Sequence, residues 1–127
     1  GPANPFLPHN YRPDCVAYTG THDNDTAVGW YERTSTEAER DYARRYLRCD
    51  GSDIAWDLIR AAWASVAQTA MTTAQDLLGL RHEARMNTPA TCGAPNWCWR
   101  LLPGALDDRV AARLRELTYL YGRLPGA

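Results

Sequence analysis

Between Asp53 and Val66 the chain places apolar residues at Ile54, Leu58, Ile59, Ala62, Trp63 and Val66, steps of three, four and one that line a single side of a helix. Two short β-prone runs flank this stripe. Upstream, Cys15-Val16-Ala17-Tyr18-Thr19 reads as a buried strand that stops at Gly20. Downstream, the stretch from Gln68 to Ala74 carries Thr69, Thr72 and Thr73, whose stiff β-branched side chains favour a short strand over more helix. A helical connection between two strands lets them lie side by side in parallel, which a tight turn cannot do. The chain is therefore read as α/β, with a parallel pairing at its centre.

The remaining elements fit that plan. Thr34-Ser35-Thr36-Glu37 has the form of a capping box, with Thr34 as N-cap and Glu37 reaching back. The helix it opens carries Ala38, Tyr42, Ala43, Tyr46 and Leu47 on one stripe and is expected to end at Gly51. Asp53 then caps the next helix. Residues 75–106, punctuated by Gly79, Pro89, Gly93, Pro95, Pro103 and Gly104, read as one long irregular segment. A loop of that length inside a compact domain is usually functional. Asp107 or Asp108 caps a last helix whose inner face is Val110, Leu114, Leu117 and Tyr121. The order is strand, loop, two helices, strand, long loop, helix, or two successive β–α units.

Composition removes several classes of function. A net charge of −1 over 127 residues gives no field to attract nucleic acid or an anionic membrane. All 14 basic residues are arginines spread along the chain, and Arg44, Arg45 and Arg48 are read as a solvated helix face. No run approaches the roughly 18 apolar residues of a membrane helix. Gly1-Pro2-Ala3-Asn4-Pro5 has neither the basic start nor the apolar core of a signal peptide, and no initiator methionine, so the chain is expected to begin inside a longer protein or behind a cleaved tag. Cys15, Cys49, Cys92 and Cys98 form no C-x-x-C pair and are too scattered for zinc; free thiols in a cytoplasmic protein are expected.

Two segments combine polar and aromatic residues, and each comes after an expected strand. The first is Tyr18-Thr19-Gly20-Thr21-His22-Asp23-Asn24-Asp25-Thr26, with Gly29-Trp30 just beyond it. The second runs Gln75-Asp76-Leu77-Leu78-Gly79-Leu80, then Glu83-Ala84-Arg85-Met86-Asn87-Thr88-Pro89 and Asn96-Trp97-Cys98-Trp99-Arg100. A polar cluster just after a strand is where α/β proteins place their chemistry. The mixture suits a sugar: carboxylates, amides and imidazoles pair with hydroxyls, and flat rings cover the apolar faces of a pyranose. Five tryptophans is a high count for this length. Trp56 and Trp63, seven apart on a helix, are assigned to the core or to an interface, whereas Trp30, Trp97 and Trp99 lie in the polar loops. His22-Asp23-Asn24-Asp25 also fits a plain Asx turn that caps the next segment of chain.

Together with Leu7-Pro8-His9-Asn10-Tyr11, these two segments resemble, in order and over nearly the whole chain, the C-terminal part of the amylomaltases. These are 4-α-glucanotransferases of glycoside hydrolase family 77, similar to the plant disproportionating enzymes. The resemblance implies that residues 1–127 are a C-terminal fragment of an elaborated (β/α)₈ barrel, comprising its last two β–α units. It implies retaining transfer of α-1,4-glucan segments to an acceptor glucan, without a cofactor or metal. Asp23 matches the aspartate that stabilises the transition state, and His22 the histidine beside it. Asn87 and Trp97 fall where the glucan is contacted, and Asp76 ends the last barrel strand in a structural position. The family's nucleophile and general acid lie upstream of Leu7, and Asp14, the only carboxylate before Asp23, matches neither. The partners implied are a maltooligosaccharide, the rest of the barrel and, for the isolated chain, further copies of itself.

The chain departs from the family pattern in its second segment. Arg81-His82 replaces the usual glycine after Leu80; alanine follows Pro89 where glycine is usual; the loop is one residue longer, and Pro95 stands where glycine usually precedes Asn96-Trp97. Proline fixes φ and removes a donor, so a changed loop path is expected. Arg85 and Arg100 are expected to hold this loop by salt bridges. The alternative to an enzyme fragment is a small non-catalytic α/β module that at most binds glucan.

Overall fold

The computed structural model describes residues 1–126. A proline-rich N-terminal loop with one 3₁₀ turn, Pro8–Asn10, leads into β1 (Val16–Tyr18). A short helical stretch comes next, α1 (Ala27–Gly29), which widens into a π-helical turn over Trp30–Thr34. Then come α2 (Glu37–Leu47), α3 (Ile54–Ala64), β2 (Thr69–Met71), α4 (Ala74–Leu77), a 3₁₀ turn at His82–Ala84 and α5 (Asp108–Leu120). The strands pair in parallel with Val16 opposite Thr69, Ala17 opposite Ala70 and Tyr18 opposite Met71, as the helical crossover requires.

The core gathers on α3. Ile59, Trp56, Trp63 and Ala62 are buried there with Ala17 of β1, Ala67 before β2 and Leu117 of α5. Val110, Leu114 and Tyr121 of the α5 stripe pack against them. Each buried indole keeps a polar partner: Trp56 Nε1 donates to the Leu77 carbonyl at 3.2 Å and Trp63 Nε1 to Thr118 Oγ1 at 3.1 Å. The Arg113 guanidinium lies over the Trp56 ring, 4.3 Å from its centroid.

Several boundaries differ from those expected of the sequence. The cap of α2 is Thr36, not Thr34. Its hydroxyl accepts from Glu39 N–H, and the Glu39 carboxylate in turn accepts from Thr36 N–H. Both T-x-x-E registers exist in Thr34-Ser35-Thr36-Glu37-Ala38-Glu39, but Thr34 is taken by the π turn, whose first carbonyl at Trp30 accepts from Ser35 N–H. α2 ends at Leu47, four residues before Gly51, because Arg48 adopts the left-handed conformation (φ 53°, ψ 51°). Gly51, itself at φ 87°, sits under Tyr31, where a Cβ would overlap that ring. Asp53 precedes α3 without a side-chain cap and pairs instead with Arg113 of α5. Val66 falls off the α3 stripe and is exposed, since the helix stops at Ala64 and Ser65 turns its hydroxyl onto the Ala62 carbonyl.

The strands are shorter than expected, and β1 is only partly buried: Ala17 is covered, while Val16 and Tyr18 are about half exposed (48 % and 51 %). Among the described residues there are two strands, and each is paired along one edge only. The expected irregular segment 75–106 contains the end of α4 and one 3₁₀ turn. Asp107, not Asp108, caps α5, accepting from Arg109 and Val110 N–H. Arg44 is not part of a solvated face: it bonds the Tyr31 hydroxyl at 2.8 Å and Glu37.

Candidate functional site

The loop after β1 is shaped by its own polar side chains. Asn24 Oδ1 accepts from the Thr21 N–H at 2.8 Å and from the Thr21 hydroxyl at 3.0 Å, while Asn24 N–H returns to the Thr21 carbonyl. This is a β-turn over Thr21–Asn24 locked by the side chain at its last position, not an Asx turn; it turns the chain through His22-Asp23 and leaves Asp23 at the outer edge, its side chain 48 % exposed. Beyond it, Thr26 caps α1 by accepting from Gly29 N–H at 3.0 Å. Gly29 is required there, because a Cβ would collide with the Asp25 carboxylate.

The second segment meets this loop side on. Asn87 Nδ2 donates to Asp23 Oδ1 at 2.8 Å, and Asn87 N–H donates to the His22 carbonyl at 3.0 Å. The other carboxylate oxygen, Asp23 Oδ2, lies 3.3 Å from His22 Nε2. Trp97 completes the group: its ring is 5.3 Å from the His22 ring, tilted by 34°. Its main-chain N–H donates to the Met86 carbonyl at 2.7 Å, and its side chain stays about half exposed. The structure thus brings together all four residues singled out from sequence: His22, Asp23, Asn87 and Trp97. Trp99 is half-buried, and Trp30 lines a separate apolar hollow with Tyr18, Tyr42 and Tyr46.

Further bonds fix the two segments to the scaffold. Asp76 is buried beneath them, its Oδ2 accepting from the Thr19 hydroxyl at 2.6 Å and its Oδ1 from Ala27 N–H at 2.8 Å. It joins β1, α1 and α4 and does not face the exposed edge. Asp25, with only 4 % of its side chain exposed, lies 2.8 Å from His82 Nδ1, and Arg81 reaches Glu32 at 3.3 Å. His82 therefore ties the second segment to the first, and Arg81 ties it to the π-helical turn beyond. A cavity of about 210 Å³ remains between the segments, bordered by Thr21, His22, Gln75, Met86 and Trp97.

The loop beyond Pro89 takes a path set by three left-handed residues, Ala90 (φ 62°), Gly93 (φ 77°) and Trp97 (φ 61°). Ala90 stands where the resemblance has glycine, and a side chain there costs on the order of 1–2 kcal/mol. Among the described residues neither Arg85 nor Arg100 makes the expected salt bridge. Arg100 donates to the carbonyls of Trp97 and Trp99. Arg85 donates to two carbonyls, Asp23 O at 2.8 Å and Asn87 O at 2.9 Å. Main-chain acceptors leave no trace in a sequence, so the sequence alone does not assign this role to Arg85. The link from His82 to Asp25 could have been suspected only from a titratable residue replacing a glycine-type position.

Among the described residues no group of three His, Cys, Asp or Glu side chains is placed to hold a metal, and no helix is long and apolar enough to cross a membrane. The four cysteines are unpaired. Burial pushes the Cys49 thiol above its ordinary range.

A family model described as 4-alpha-glucanotransferase matches residues 1–106. The chloroplastic/amyloplastic 4-alpha-glucanotransferase of Oryza sativa is 50 % identical over 98 % of this chain, and the 4-alpha-glucanotransferase of Clostridium butyricum is 45 % identical over 95 % of it. An amylomaltase from Streptococcus agalactiae, solved in complex with acarbose, superposes with a TM-score of 0.88 at 38 % identity, covering 95 % of this chain. The match extends past residue 106 in these relatives and so takes in α5. In every case the chain spans only about a quarter of the relative, 21 %, 25 % and 24 % respectively. Family model, relatives and backbone path agree over nearly the whole chain, and the chain belongs to the 4-alpha-glucanotransferases of glycoside hydrolase family 77.

Proposed function

We propose that this chain is the C-terminal portion of a (β/α)₈ barrel, its last two β–α units, in an enzyme that transfers α-1,4-glucan segments to the 4-OH of an acceptor glucan. The reaction is a retaining double displacement through a covalent glycosyl-enzyme. Such chemistry uses a carboxylate nucleophile and a carboxylic acid about 5 Å apart. Both are assigned to protein outside these 127 residues, since the only earlier carboxylate, Asp14, is a surface partner of Arg12. Asp23 is assigned the third carboxylate, which faces the positive charge that develops on the sugar ring and holds its hydroxyls. His22 and Asn87 are assigned to the same sugar, and Trp97 to an apolar sugar face.

The observation that carries this reading is the state of the Asp23 carboxylate. It is fixed on one side by Asn87 at 2.8 Å and flanked by His22, yet it remains open to an incoming ligand. A fixed, accessible charge is what electrostatic stabilisation needs, because no reorganisation is then required at the moment of reaction. The test is Asp23→Asn in the protein that also carries the nucleophile and acid. The kcat for maltotriose disproportionation should fall about 10²- to 10³-fold with the fold intact. A loss below tenfold removes Asp23 from this role. His22→Ala should cost less, since it removes hydrogen bonds but no charge.

The same reading covers the open strand edges. Among the described residues each strand has one unpaired edge, Val16, Tyr18 and Met71 on the sheet's open face are each about half exposed, and neighbouring barrel strands and helices are assigned to cover both. The 127-residue chain on its own should therefore associate with itself. Sedimentation at rising concentration checks this; a concentration-independent monomer with a sharp melt would show a self-sufficient domain.

A further inference from the structure

Among the described residues, Arg85 is the side chain that bonds to the main chain of both site segments at once. Its Nη2 donates to the Asp23 carbonyl at 2.8 Å and its Nε to the Asn87 carbonyl at 2.9 Å. Asn87 in turn uses its N–H on the His22 carbonyl and its Nδ2 on Asp23 Oδ1. Three bonds therefore cross between Arg85-Met86-Asn87 and His22-Asp23, two pieces of chain more than 60 residues apart, and a fourth holds the Arg85 fork to Asn87 itself. Among the described residues Arg85 has no carboxylate at ion-pair distance; its Nε and Nη2 both donate to carbonyls. The geometry points to Arg85 as a positioning residue for Asp23: it fixes the peptide that carries the carboxylate and the amide that orients it, without touching the glucan.

The physical case rests on what else holds Asp23. The loop tip is exposed, and the Thr21–Asn24 closure lies beside Asp23 without restraining its side chain. The carboxylate direction is set by Asn87 Nδ2, and Asn87 is set by its own N–H bond and by Arg85. Without the guanidinium, the Asp23 carbonyl and the Asn87 carbonyl lose their shared donor, and of the hydrogen bonds between Arg85-Met86-Asn87 and His22-Asp23 only the two made by Asn87 remain. Lysine cannot restore the arrangement. Its ammonium is a single point, whereas Nε and Nη2 address two acceptors from one rigid plane.

The inference rests on the transferase reading of Asp23, and the experiment separates the two. In the protein with its complete catalytic machinery, Arg85→Ala, Arg85→Lys and Asp23→Asn are compared by kcat, KM and thermal melting. Misplacement of a catalytic group by about 1 Å can cost on the order of 10²-fold in rate. Arg85→Ala is expected to lower kcat roughly 10- to 100-fold with KM within about twofold, because the residue orients and does not bind sugar. Arg85→Lys should melt close to the parent and still be impaired about tenfold or more. Added guanidinium ion, at concentrations that leave the parent's melt unchanged, should restore part of the Arg85→Ala kcat and none of the Asp23→Asn kcat. Three results overturn the proposal: a kcat within about threefold of the parent in both Arg85 variants while Asp23→Asn is crippled; a raised KM at unchanged kcat, which makes Arg85 a sugar-binding residue; or a loss that tracks only the folded fraction, which makes it a structural one. If Asp23→Asn itself retains kcat, the transferase reading of Asp23 falls and Arg85 has nothing to position.

Discussion

The α3–α5 core and the Asp23–Asn87 site are held together by opposite means. In the core, Trp56, Ile59, Trp63 and Leu117 exclude water and touch many neighbours, and two indole hydrogen bonds add direction. In the site, His22, Asp23 and Trp97 are largely exposed, and their placement comes from a few hydrogen bonds made by main-chain and side-chain groups. Packing is non-directional and spreads its stabilisation over many atoms. Hydrogen bonds are directional and local, so they can aim a carboxylate while adding little to global stability. A substitution in one region should therefore be read mainly by a melt, and in the other mainly by a rate.

The sharpest test of that division is Trp63→Ala. Truncating a buried tryptophan of this kind costs about 3–5 kcal/mol. The lost Trp63 bond leaves the Thr118 hydroxyl still donating to the Leu114 carbonyl at 2.7 Å, so most of the cost is the cavity. Denaturant unfolding of the parent and variant measures it, and Asp23→Asn in the same assay should stay within about 0.5 kcal/mol. If the two variants shift stability equally, the core and the site are not separate in energy.

Asp76 blurs the division and should show an effect in both assays. It is as buried as the core, yet it binds the Thr19 hydroxyl and Ala27 N–H on either side of the Asp23 loop. In Asp76→Ala the Thr19 hydroxyl can still turn to Thr72, at 3.0 Å, but Ala27 N–H loses its acceptor. A buried donor left unsatisfied costs about 1–3 kcal/mol. Activity should fall as well, by roughly tenfold, because both ends of the loop relax. A destabilised variant with full kcat would show that the loop is positioned from the Arg85 side alone.

The contrast also explains what could be read from the chain by itself. The α3 and α5 stripes were legible because apolar residues repeat at the helical period, and Trp56 and Trp63 are buried as that period requires. The parallel pairing was legible because a helix lies between the two runs. The register of the α2 cap was not, since two overlapping T-x-x-E patterns compete and the choice falls to the π turn before them. The end of α3 is hidden for a similar reason: Arg123, some 60 residues on, collects the carbonyls of Trp63, Ser65 and Ala67 and seals the turn that exposes Val66. At the site, Asp23 and His22 stood out as a polar cluster after a strand. Arg85 did not, because its acceptors are carbonyl groups common to every residue.

The smallest expected effect lies at the start of α2, outside both regions. Glu37 accepts from Arg44 Nη2 at 2.6 Å and from Arg40 Nε at 3.0 Å. These bonds, Arg44 first, hold its carboxyl below the ordinary value of 4.5. A carboxyl lowered in the folded state stabilises the fold at pH above its unfolded value, and that contribution disappears as pH falls through the lower folded value. Near neutrality the parent should thus melt slightly above Glu37→Gln, and the gap should close under acid as Glu37 takes up its proton. The side chain is 69 % exposed, so solvent screens the pair and the gap stays small. Salt should narrow it too, since the screening length shrinks to about 3 Å at 1 M. Arg40 and Arg44 do not depend on Glu37 alone: Arg40 also bonds the Ser35 carbonyl and Arg44 the Tyr31 hydroxyl, which keeps α2 seated on the π turn when Glu37 is neutral. Melts of the two proteins across pH and salt decide the matter. A gap that persists unchanged into acid would mean that Glu37 acts through packing or helix propensity and not through its charge.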